Sequence, residues 1–361
     1  MTHKHSDYMH WSKTQSRARF NLATSGVASF PLRELPVELE TLEINGDNSY
    51  SGYSYQPLQN VIAAHHGVDP ECVVEAAGTS MANHLAMAAI LEPGDEVLIE
   101  RPTYAPILDV ARYLRAKVKR FPRIKEIDWA VDQVAIIHSI TPKTRLIVIT
   151  NLHNPTSTLT SDSVLREVGE IARSVGALVL VDEVYLDAVY QRTPRTSFHL
   201  GPEFVVTSSL TKVYGVSGLR CGWILARPEL AWKIRRLNDL YSATPVYPGL
   251  LLSVAAFKHL NRLREKARRI VDADRKLLRD FLVQQSAISA VWTDWGTTSF
   301  VQLRDGNADD FLQRLRTEFD TSAVPGRFFE MPDHFRIGMG VNTEMFAEGL
   351  KRIGQALADQ K

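Results

Sequence analysis

The 361-residue chain has few cysteines, little net charge and no long apolar run. Its two cysteines, Cys72 and Cys221, each lie beside an apolar stretch, which indicates buried reduced thiols and excludes a disulfide scaffold. The 42 basic and 41 acidic side chains nearly cancel, so no overall field attracts nucleic acid or a membrane surface. No run of about eighteen apolar residues occurs, so no membrane span is expected. A small-molecule substrate or cofactor is therefore favoured over a macromolecular partner.

The N-terminal residues 1–13 are rich in histidine and polar side chains, and they lack the apolar core of a signal peptide. Because the few cysteines also indicate a reducing setting, we expect a cytoplasmic protein. With 45% hydrophobic and 23% charged residues, the chain is an ordinary globular sequence, long enough for a large core and a second lobe.

Apolar runs rich in β-branched residues alternate with helical patterns between residues 73 and 226. Continuous apolar strands of this kind are typical of a mostly parallel sheet that is covered on both faces. One helical pattern places Leu165, Val168 and Ala172 on a single face before Gly176 ends it. The alternation predicts an α/β domain built in layers.

The pattern changes near residue 250 to a long charged helix, followed by shorter strand-like and helical segments. This change predicts a second, smaller α+β domain. We expect an N-terminal arm over residues 1–45 that packs with the small domain, a large domain over residues 46–250 and a small domain over residues 251–361. The sequence has no repeats and no low-complexity linker, so the two lobes are expected to share an interface.

A lysine follows one of the apolar strands in an unusual setting. Ser208, Ser209 and Thr211 precede or flank Lys212, and Arg220 follows it by eight residues. Hydroxyls and a guanidinium near a strand end can hold a phosphate. An amine beside such a cluster suits a cofactor that carries a carbonyl group. Taken alone, the segment also fits a surface lysine near a glycine turn.

Polar residues follow two more of the apolar strands. Asp182 ends one strand and Tyr185 comes three residues later; a buried carboxylate there needs a cationic partner, unless Asp182 only caps a helix. Asn154 precedes Pro155 in a turn that fixes its side chain at the sheet edge, and a purely structural turn is the alternative.

A small, hydroxyl-rich turn links another strand to an amphipathic helix. Gly78, Thr79 and Ser80 stand at the helix N-terminus, where free backbone N–H groups and the helix dipole favour an anion. Serine and threonine also cap ordinary helices, so this turn indicates an anion site only in combination with the other segments.

In chain order, these segments resemble the class I/II, aspartate-aminotransferase-like enzymes of pyridoxal-5′-phosphate (PLP) fold type I. The resemblance covers nearly the whole chain, and Ser-x-x-Lys followed by Gly-Leu-Arg is its most specific part. It implies a large α/β domain with a mostly parallel seven-stranded sheet between helices, and a smaller α+β domain. It also implies PLP as cofactor, no metal, and transfer of an amino group between an amino acid and a 2-oxo acid.

The resemblance implies a role for each matching residue. Lys212 would form the Schiff base and act as general base, Asp182 would hold the pyridine nitrogen, and Tyr185 and Asn154 would bond the ring hydroxyl, with Asn154 also near the substrate. Tyr104 would stack on the ring, although it also fits simple interface packing. The residues implied to bind the phosphate are Gly78, Thr79, Ser80, Ser209 and Arg220.

The substrate carboxylate and the neighbouring subunit complete the implied site. Arg336 resembles the arginine that forks onto the substrate α-carboxylate, and Gly26 the glycine whose backbone approaches it. In the family, a tyrosine commonly reaches the phosphate of the partner subunit. Tyr53 matches it best, with Tyr50 as the alternative, and the implied assembly is a homodimer with shared active sites.

Three positions depart from the family pattern. Ser157 stands where a glycine commonly follows Asn-Pro-Thr, Leu58-Gln59 replaces a common Leu-Arg pair, and the surroundings of Gly26 lack the common Gly-x-Pro. The sequence does not predict the substrate side-chain preference, because the candidates for it have ordinary surface or packing explanations; they are Trp11, Arg17, Arg19 and His153.

Two other functions are compatible with parts of this pattern. A PLP-dependent lyase or cyclising enzyme, C–S-lyase-like or capreomycidine-synthase-like, would use every residue named above, so it stays open as an alternative. A PLP-binding transcription regulator is disfavoured because only about 45 residues precede the cofactor lobe, and they lack a basic helical pattern.

Overall fold

The structure is a computed structural model that describes residues 4–35, 54–242 and 245–359. It begins with helix α1 (Asp7–Thr14), the two-residue strand β1 (Phe20–Asn21) and helix α2 (Gln56–His66). The Ser6 hydroxyl caps α1 by accepting a hydrogen bond from the Met9 backbone N–H. Gly67 ends α2 in the left-handed conformation, with φ of 64°.

The large unit contains an eight-stranded sheet in the order β2-β9-β8-β7-β6-β3-β4-β5. Its strands are β2 (Val73–Ala77), β3 (Glu96–Arg101), β4 (Lys117–Ile124), β5 (Ala130–Val131), β6 (Thr144–Thr150), β7 (Leu178–Asp182), β8 (Phe204–Ser209) and β9 (Cys221–Leu225). The run from β8 to β4 is parallel, whereas β9 and β5 pair antiparallel with their neighbours. The predicted mostly parallel sheet is confirmed, and the short β5 brings the predicted seven strands to eight.

Helices cover both faces of this sheet. They are α3 (Thr79–Ile90), α4 (Ala105–Tyr113), α5 (Gln133–Ser139), α6 (Asp162–Ser174) and α7 (Pro228–Asn238). Alternate residues of the central strands enter opposite cores: Val148 and Leu180 pack with α3 and α4, whereas Ile147 and Val179 pack with α6. Burial on both faces explains why these strands read as continuous apolar runs.

The second unit is built from helices around a small antiparallel sheet. Helices α8 (Tyr247–Lys258) and α9 (Leu260–Gln284) lead into it, and α10 (Ala308–Phe319) and α11 (Thr343–Ala358) pack on it. Its four-stranded sheet has the order β10-β11-β14-β13. The strands of this part are β10 (Ile288–Ala290), β11 (Thr298–Leu303), β12 (Thr321–Ser322), β13 (Val324–Pro325) and β14 (His334–Gly338). The smaller α+β unit is therefore present, as predicted.

The N-terminal segment crosses to the second unit. Strand β1 pairs in parallel with β12, Phe20 lying opposite Thr321. Leu22 enters the core that contains Phe335 and Phe346. This pairing is consistent with an arm that packs on the small domain, and the boundaries of the three parts stay a prediction.

The described residues also bear on membrane, metal and thiol chemistry. None of the helices among them is both long enough and apolar enough to cross a bilayer. Within the same ranges, no cluster of three or more histidine, cysteine or acidic side chains is placed to hold a metal ion. Cys72 and Cys221 are both buried and free.

Candidate active site

A cavity of about 490 Å³ opens at the carboxyl edge of the central strands. Such edges are where open α/β sheets bind ligands, because loops from several strands end there together. The register aligns Thr150, Asp182 and Thr207 across β6, β7 and β8, so the segments that follow these strands meet. The predicted residues that line the cavity are Thr79, Ser80, Tyr104, Asn154, Asp182, Tyr185, Ser209, Lys212 and Arg220.

One end of the cavity has the chemistry of a phosphate site. The Thr79 hydroxyl donates to Ser209 Oγ at 2.8 Å, which joins the start of α3 to the end of β8. Arg220 Nη2 donates to the Ala77 carbonyl at 2.9 Å. Gly78 has a φ of 80°, and a Cβ there would lie 2.3 Å from Arg220 Nη2, so glycine lets the guanidinium approach the helix N-terminus.

The opposite end holds the buried carboxylate of Asp182. Its Oδ2 accepts from Asn83 Nδ2 at 2.8 Å, and its Oδ1 accepts from the Val184 N–H at 3.1 Å. Thr207 Oγ1 donates in turn to Asn83 Oδ1 at 2.5 Å. Burial raises the pKa of Asp182 to about 6, and the bonds from Asn83 and Val184 oppose that rise. A bound cation would favour the ionised form further.

Lys212 lies between these two ends. Its Nζ donates to Ser25 Oγ at 3.0 Å, and it forms no ion pair with a carboxylate in the described part of the chain. Burial and the nearby Arg336 lower the pKa of Lys212 to about 8; Asp182 acts in the opposite direction and Arg220 adds a smaller lowering. The amine is therefore easier to deprotonate than an ordinary lysine, as a nucleophile or general base requires.

Arg336 is a fully buried guanidinium on β14. Its Nη1 donates to Asn154 Oδ1 at 2.8 Å, and its Nη2 donates to the Tyr8 hydroxyl at 3.1 Å. The guanidinium lies over the Phe329 ring at 5.1 Å, and its Nε has no hydrogen-bond partner among the described residues. Because Arg336 forms no ion pair with a carboxylate of the described residues, the buried charge is uncompensated and favours an anionic ligand.

A second buried network supports the Asn154 turn from behind. Glu100 accepts from Arg123 Nε at 2.7 Å, and both side chains are buried. Glu100 also accepts from the Thr150 N–H and hydroxyl at 2.7 and 2.6 Å, and Thr150 Oγ1 accepts from the Asn154 N–H at 3.0 Å. The ion pair thus fixes the backbone that carries Asn154.

The departure at Ser157 is accommodated locally. Ser157 adopts a φ of 64°, the left-handed conformation that favours glycine. Its hydroxyl donates to the Thr298 carbonyl at 2.7 Å, and the facing residue is Gly296, where a Cβ would lie 2.4 Å from Ser157 Cβ. Gly296 thus leaves room for the Ser157 side chain, while Ser157 itself keeps the left-handed backbone of the turn that follows Asn154.

The remaining predicted residues fall in three places. Tyr104 lies in the cavity wall, where its hydroxyl contacts Met9 Sδ at 3.7 Å. Gly26 lies against Lys212, because a Cβ added to Gly26 would lie 3.3 Å from Lys212 Cα. Tyr53, and with it Tyr50, lies outside the described residues, so the cross-subunit contact stays a prediction.

Sequence reasoning missed Asn83, Tyr8 and Ser25. A signal for Asn83 existed: it is a polar residue in an apolar helix, four positions after Thr79 and hence on the same face. Tyr8 and Ser25 carried no such signal, because only tertiary packing brings the N-terminal segment to the cavity. Among the substrate-preference candidates, His153 is buried and bonds Thr156 and the Pro102 carbonyl, and Trp11 packs on Phe328, which supports packing roles.

The cavity fits PLP in size and in the order of its polar groups. A phosphate could take the free N–H groups of the α3 N-terminus, the Thr79, Ser80 and Ser209 hydroxyls and the Arg220 guanidinium. A pyridine ring beneath Tyr104 would then extend toward the Asp182 carboxylate, with Lys212 beside it. The uncompensated charge of Arg336 lies behind Asn154 on the far side of this space.

Comparison with known proteins agrees with this chemistry. The family model for aminotransferase class I and II matches residues 21–353. Capreomycidine synthase from Streptomyces vinaceus is 27% identical over 355 residues, covering 94% of this chain and 90% of that protein. A probable N-succinyldiaminopimelate aminotransferase from Mycobacterium tuberculosis is 32% identical over 227 residues, 58% of this chain and 57% of that protein.

The fold matches a solved structure along its whole length. A PLP-dependent aminotransferase from Streptococcus suis superposes with a TM-score of 0.92 and 26% identity, covering 100% of this chain and 99% of that chain.

Proposed function

Because the chain belongs to the class I and II aminotransferase family and is a PLP-dependent aminotransferase that acts on amino acids and 2-oxo acids, we propose that Lys212, Asp182 and Arg336 carry its chemistry. One observation supports this assignment above others. A lysine amine without an ion-pair partner among the described residues lies in one cavity with a buried carboxylate and a phosphate cradle, and the uncompensated guanidinium of Arg336 lies behind it.

The residues that would hold the cofactor follow from this geometry. Thr79, Ser80, Ser209 and Arg220 would bind the phosphate, and Asp182 would hold the pyridine nitrogen in its protonated form. Bound PLP supplies an electron sink for the pair left behind when a bond at the substrate Cα breaks. Tyr185 and Asn154 would bond the ring hydroxyl and fix the orientation of the ring.

Lys212 would bind the cofactor and then act as general base. With an amino substrate bound in the site, the neutral Lys212 amine would take the proton from the substrate Cα. Burial and the charge of Arg336, which lower the pKa of Lys212 to about 8, keep a useful fraction of the amine neutral near pH 7.

Arg336 would bind the α-carboxylate of the substrate. Its guanidinium is already oriented by Asn154, Tyr8 and the face of Phe329, so a carboxylate would find a preorganised fork. The Gly26 backbone lies beside Lys212 and leaves room for that carboxylate to approach.

Replacing Arg336 with glutamine is expected to weaken substrate binding more than cofactor binding. Loss of a charged fork removes about 3 kcal/mol, so KM for the amino donor should rise roughly a hundredfold. Steady-state kinetics gives KM, and the visible absorbance of the protein reports cofactor content. Arg336→Lys, which keeps the charge, should lose less. A glutamine variant whose KM stays within threefold of the parent contradicts the assignment.

We also propose that the protein is a homodimer with shared active sites. Leu240 and Val246 are apolar yet 80% and 77% exposed. Val246 and Tyr241 line a cavity of about 390 Å³ that is also bordered by Arg220, so the apolar surface adjoins the phosphate end of the active site. A partner subunit seated there would cover this surface and could bring Tyr53 to the phosphate.

Replacing Val246 with glutamate should shift the protein from dimer toward monomer, because a charge would then be buried in an apolar interface. Light scattering measures the mass in solution. Val283→Glu is the matched control, since Val283 is 83% exposed on α9 and does not line the cavity that Val246 and Tyr241 border. A parent that is already monomeric, or a glutamate variant of Val246 that stays as dimeric as the control, contradicts the proposed interface.

Two further assignments complete the proposal. The buried, free cysteines support a reducing setting, so we propose a cytoplasmic location. A cyclising reaction stays the second candidate, because capreomycidine synthase is among the relatives and the residues proposed above serve either outcome.

A further inference from the structure

We propose that Ser25 is a positioning residue, whose hydroxyl holds the Lys212 amine where it can take the proton from the substrate Cα. The proposal rests on the function assigned above to Lys212. Ser25 lies on the N-terminal segment, 187 positions from Lys212 in the chain, and its side chain touches the atom that reacts.

The hydroxyl of Ser25 contacts the reacting amine directly. Lys212 Nζ donates to Ser25 Oγ at 3.0 Å. Ser25 also lies near Tyr185: burial raises the pKa of Tyr185 to about 12, whereas Arg336 and the Ser25 hydroxyl act to lower it.

This contact restricts where the amine can lie. The Ser25 oxygen accepts an N–H from Lys212 and can accept one from the ammonium as well, so the contact persists after Lys212 takes a proton. The charged groups that act on Lys212 are Arg336, Asp182 and Arg220, and none of them hydrogen-bonds the amine. Ser25 is therefore the group that aims it.

The segment around Ser25 is held from both lobes. Thr297 Oγ1 donates to the Ser25 carbonyl at 2.8 Å, and the Val27 N–H donates to the Lys212 carbonyl at 2.8 Å. Gly338 permits the approach of Thr24, since a Cβ there would lie 1.7 Å from the Thr24 carbonyl oxygen. Ser25 itself is only 6% exposed. Its hydroxyl is thus positioned by backbone contacts that a change of side chain leaves intact.

The test compares Ser25→Ala, Ser25→Thr and a matched control. Thr24→Val removes a neighbouring hydroxyl that hydrogen-bonds, within the described part of the chain, only the Gly26 backbone, at 3.4 Å. Removing one aiming hydrogen bond should slow exchange of the substrate Cα proton with deuterium oxide on the order of tenfold, with KM unchanged. The threonine variant should recover much of the rate, and Thr24→Val should match the parent.

A spectroscopic titration provides a readout apart from activity. The visible absorbance of the bound cofactor reports protonation of the Lys212 nitrogen. Because the Ser25 oxygen accepts a bond from the protonated form, the midpoint in Ser25→Ala should fall by roughly half to one pH unit. Threonine should restore it.

The possible outcomes distinguish a failure of the Ser25 role from a failure of the Lys212 assignment. Borohydride labelling of Lys212 in the parent and in Ser25→Ala shows that Lys212 holds the cofactor in both. With that label present, an alanine variant that matches the parent in exchange rate and midpoint overturns the role of Ser25. A slowed alanine variant with an unchanged midpoint and no recovery by threonine also overturns it, since that result indicates a structural role. A label on another lysine overturns the assignment of Lys212 instead.

Discussion

Replacing Lys212 with alanine should abolish covalent capture of PLP and reduce turnover by roughly 10²–10⁴-fold from loss of the general base alone. The reason is geometric, because Lys212 is the lysine between the phosphate cradle and Asp182. Borohydride reduction followed by peptide mapping gives the labelled residue directly. Lys13 lines the same cavity, so Lys13→Ala is the matched control and should keep the label on Lys212.

The pH dependence of capture provides a second check on Lys212. Burial and Arg336 lower its pKa to about 8, so the fraction of neutral, nucleophilic amine grows as pH rises and levels off above that value. The rate at which cofactor-free protein captures PLP should therefore rise between about pH 6 and pH 8 and then flatten. A pyridoxyl label on a different lysine, or a rate that rises only above pH 10, is incompatible with the assignment.

Replacing Asp182 with asparagine should preserve the fold but slow the reaction by orders of magnitude. Asparagine can keep a hydrogen bond to Asn83, but it cannot supply the negative charge that holds a pyridine nitrogen protonated. Asp182→Glu should lose less. The rate of Cα deuterium exchange measures the effect, and cofactor content is followed in parallel by absorbance.

A control carboxylate lies five residues along the chain. Asp187 accepts a hydrogen bond from the Tyr214 hydroxyl and does not line the active-site cavity, so Asp187→Asn should exchange at nearly the parental rate. An Asp182→Asn variant that exchanges within a few-fold of the parent shows that this carboxylate is not the partner of the ring nitrogen.

The sequence predicts the central strands of the large sheet because these strands are buried on both faces. β6 and β7 read as apolar runs because the two helical layers cover them. Strand β4 has no apolar run, because basic side chains such as Lys117, Lys119 and Arg123 interrupt it. Arg123 is nevertheless buried, where it forms an ion pair with Glu100. Residue type alone does not distinguish a buried charge of this kind from a solvated one.

The active-site residues also fall into those that the sequence predicts and those that it does not. Residues next to strand ends, such as Asp182 and Lys212, could be identified because the parallel sheet brings its carboxyl ends together. Tyr8 and Ser25 could not, because their place depends on how the N-terminal segment crosses between the two lobes. Ser157 shows a third case, in which a serine adopts a left-handed conformation and its side chain fits because a residue far along the chain, Gly296, has none.

The most direct test of the whole account is the stoichiometry of a single half-reaction. A panel of amino acids first identifies a donor that changes the visible absorbance of the holoenzyme. That donor, supplied without a 2-oxo acid acceptor, should yield one equivalent of 2-oxo acid per Lys212 site and no free ammonia. Adding a 2-oxo acid should then release the retained amino group as a new amino acid. Continuous release of ammonia, or a cyclised product without any 2-oxo acid, would contradict amino-group transfer by this site.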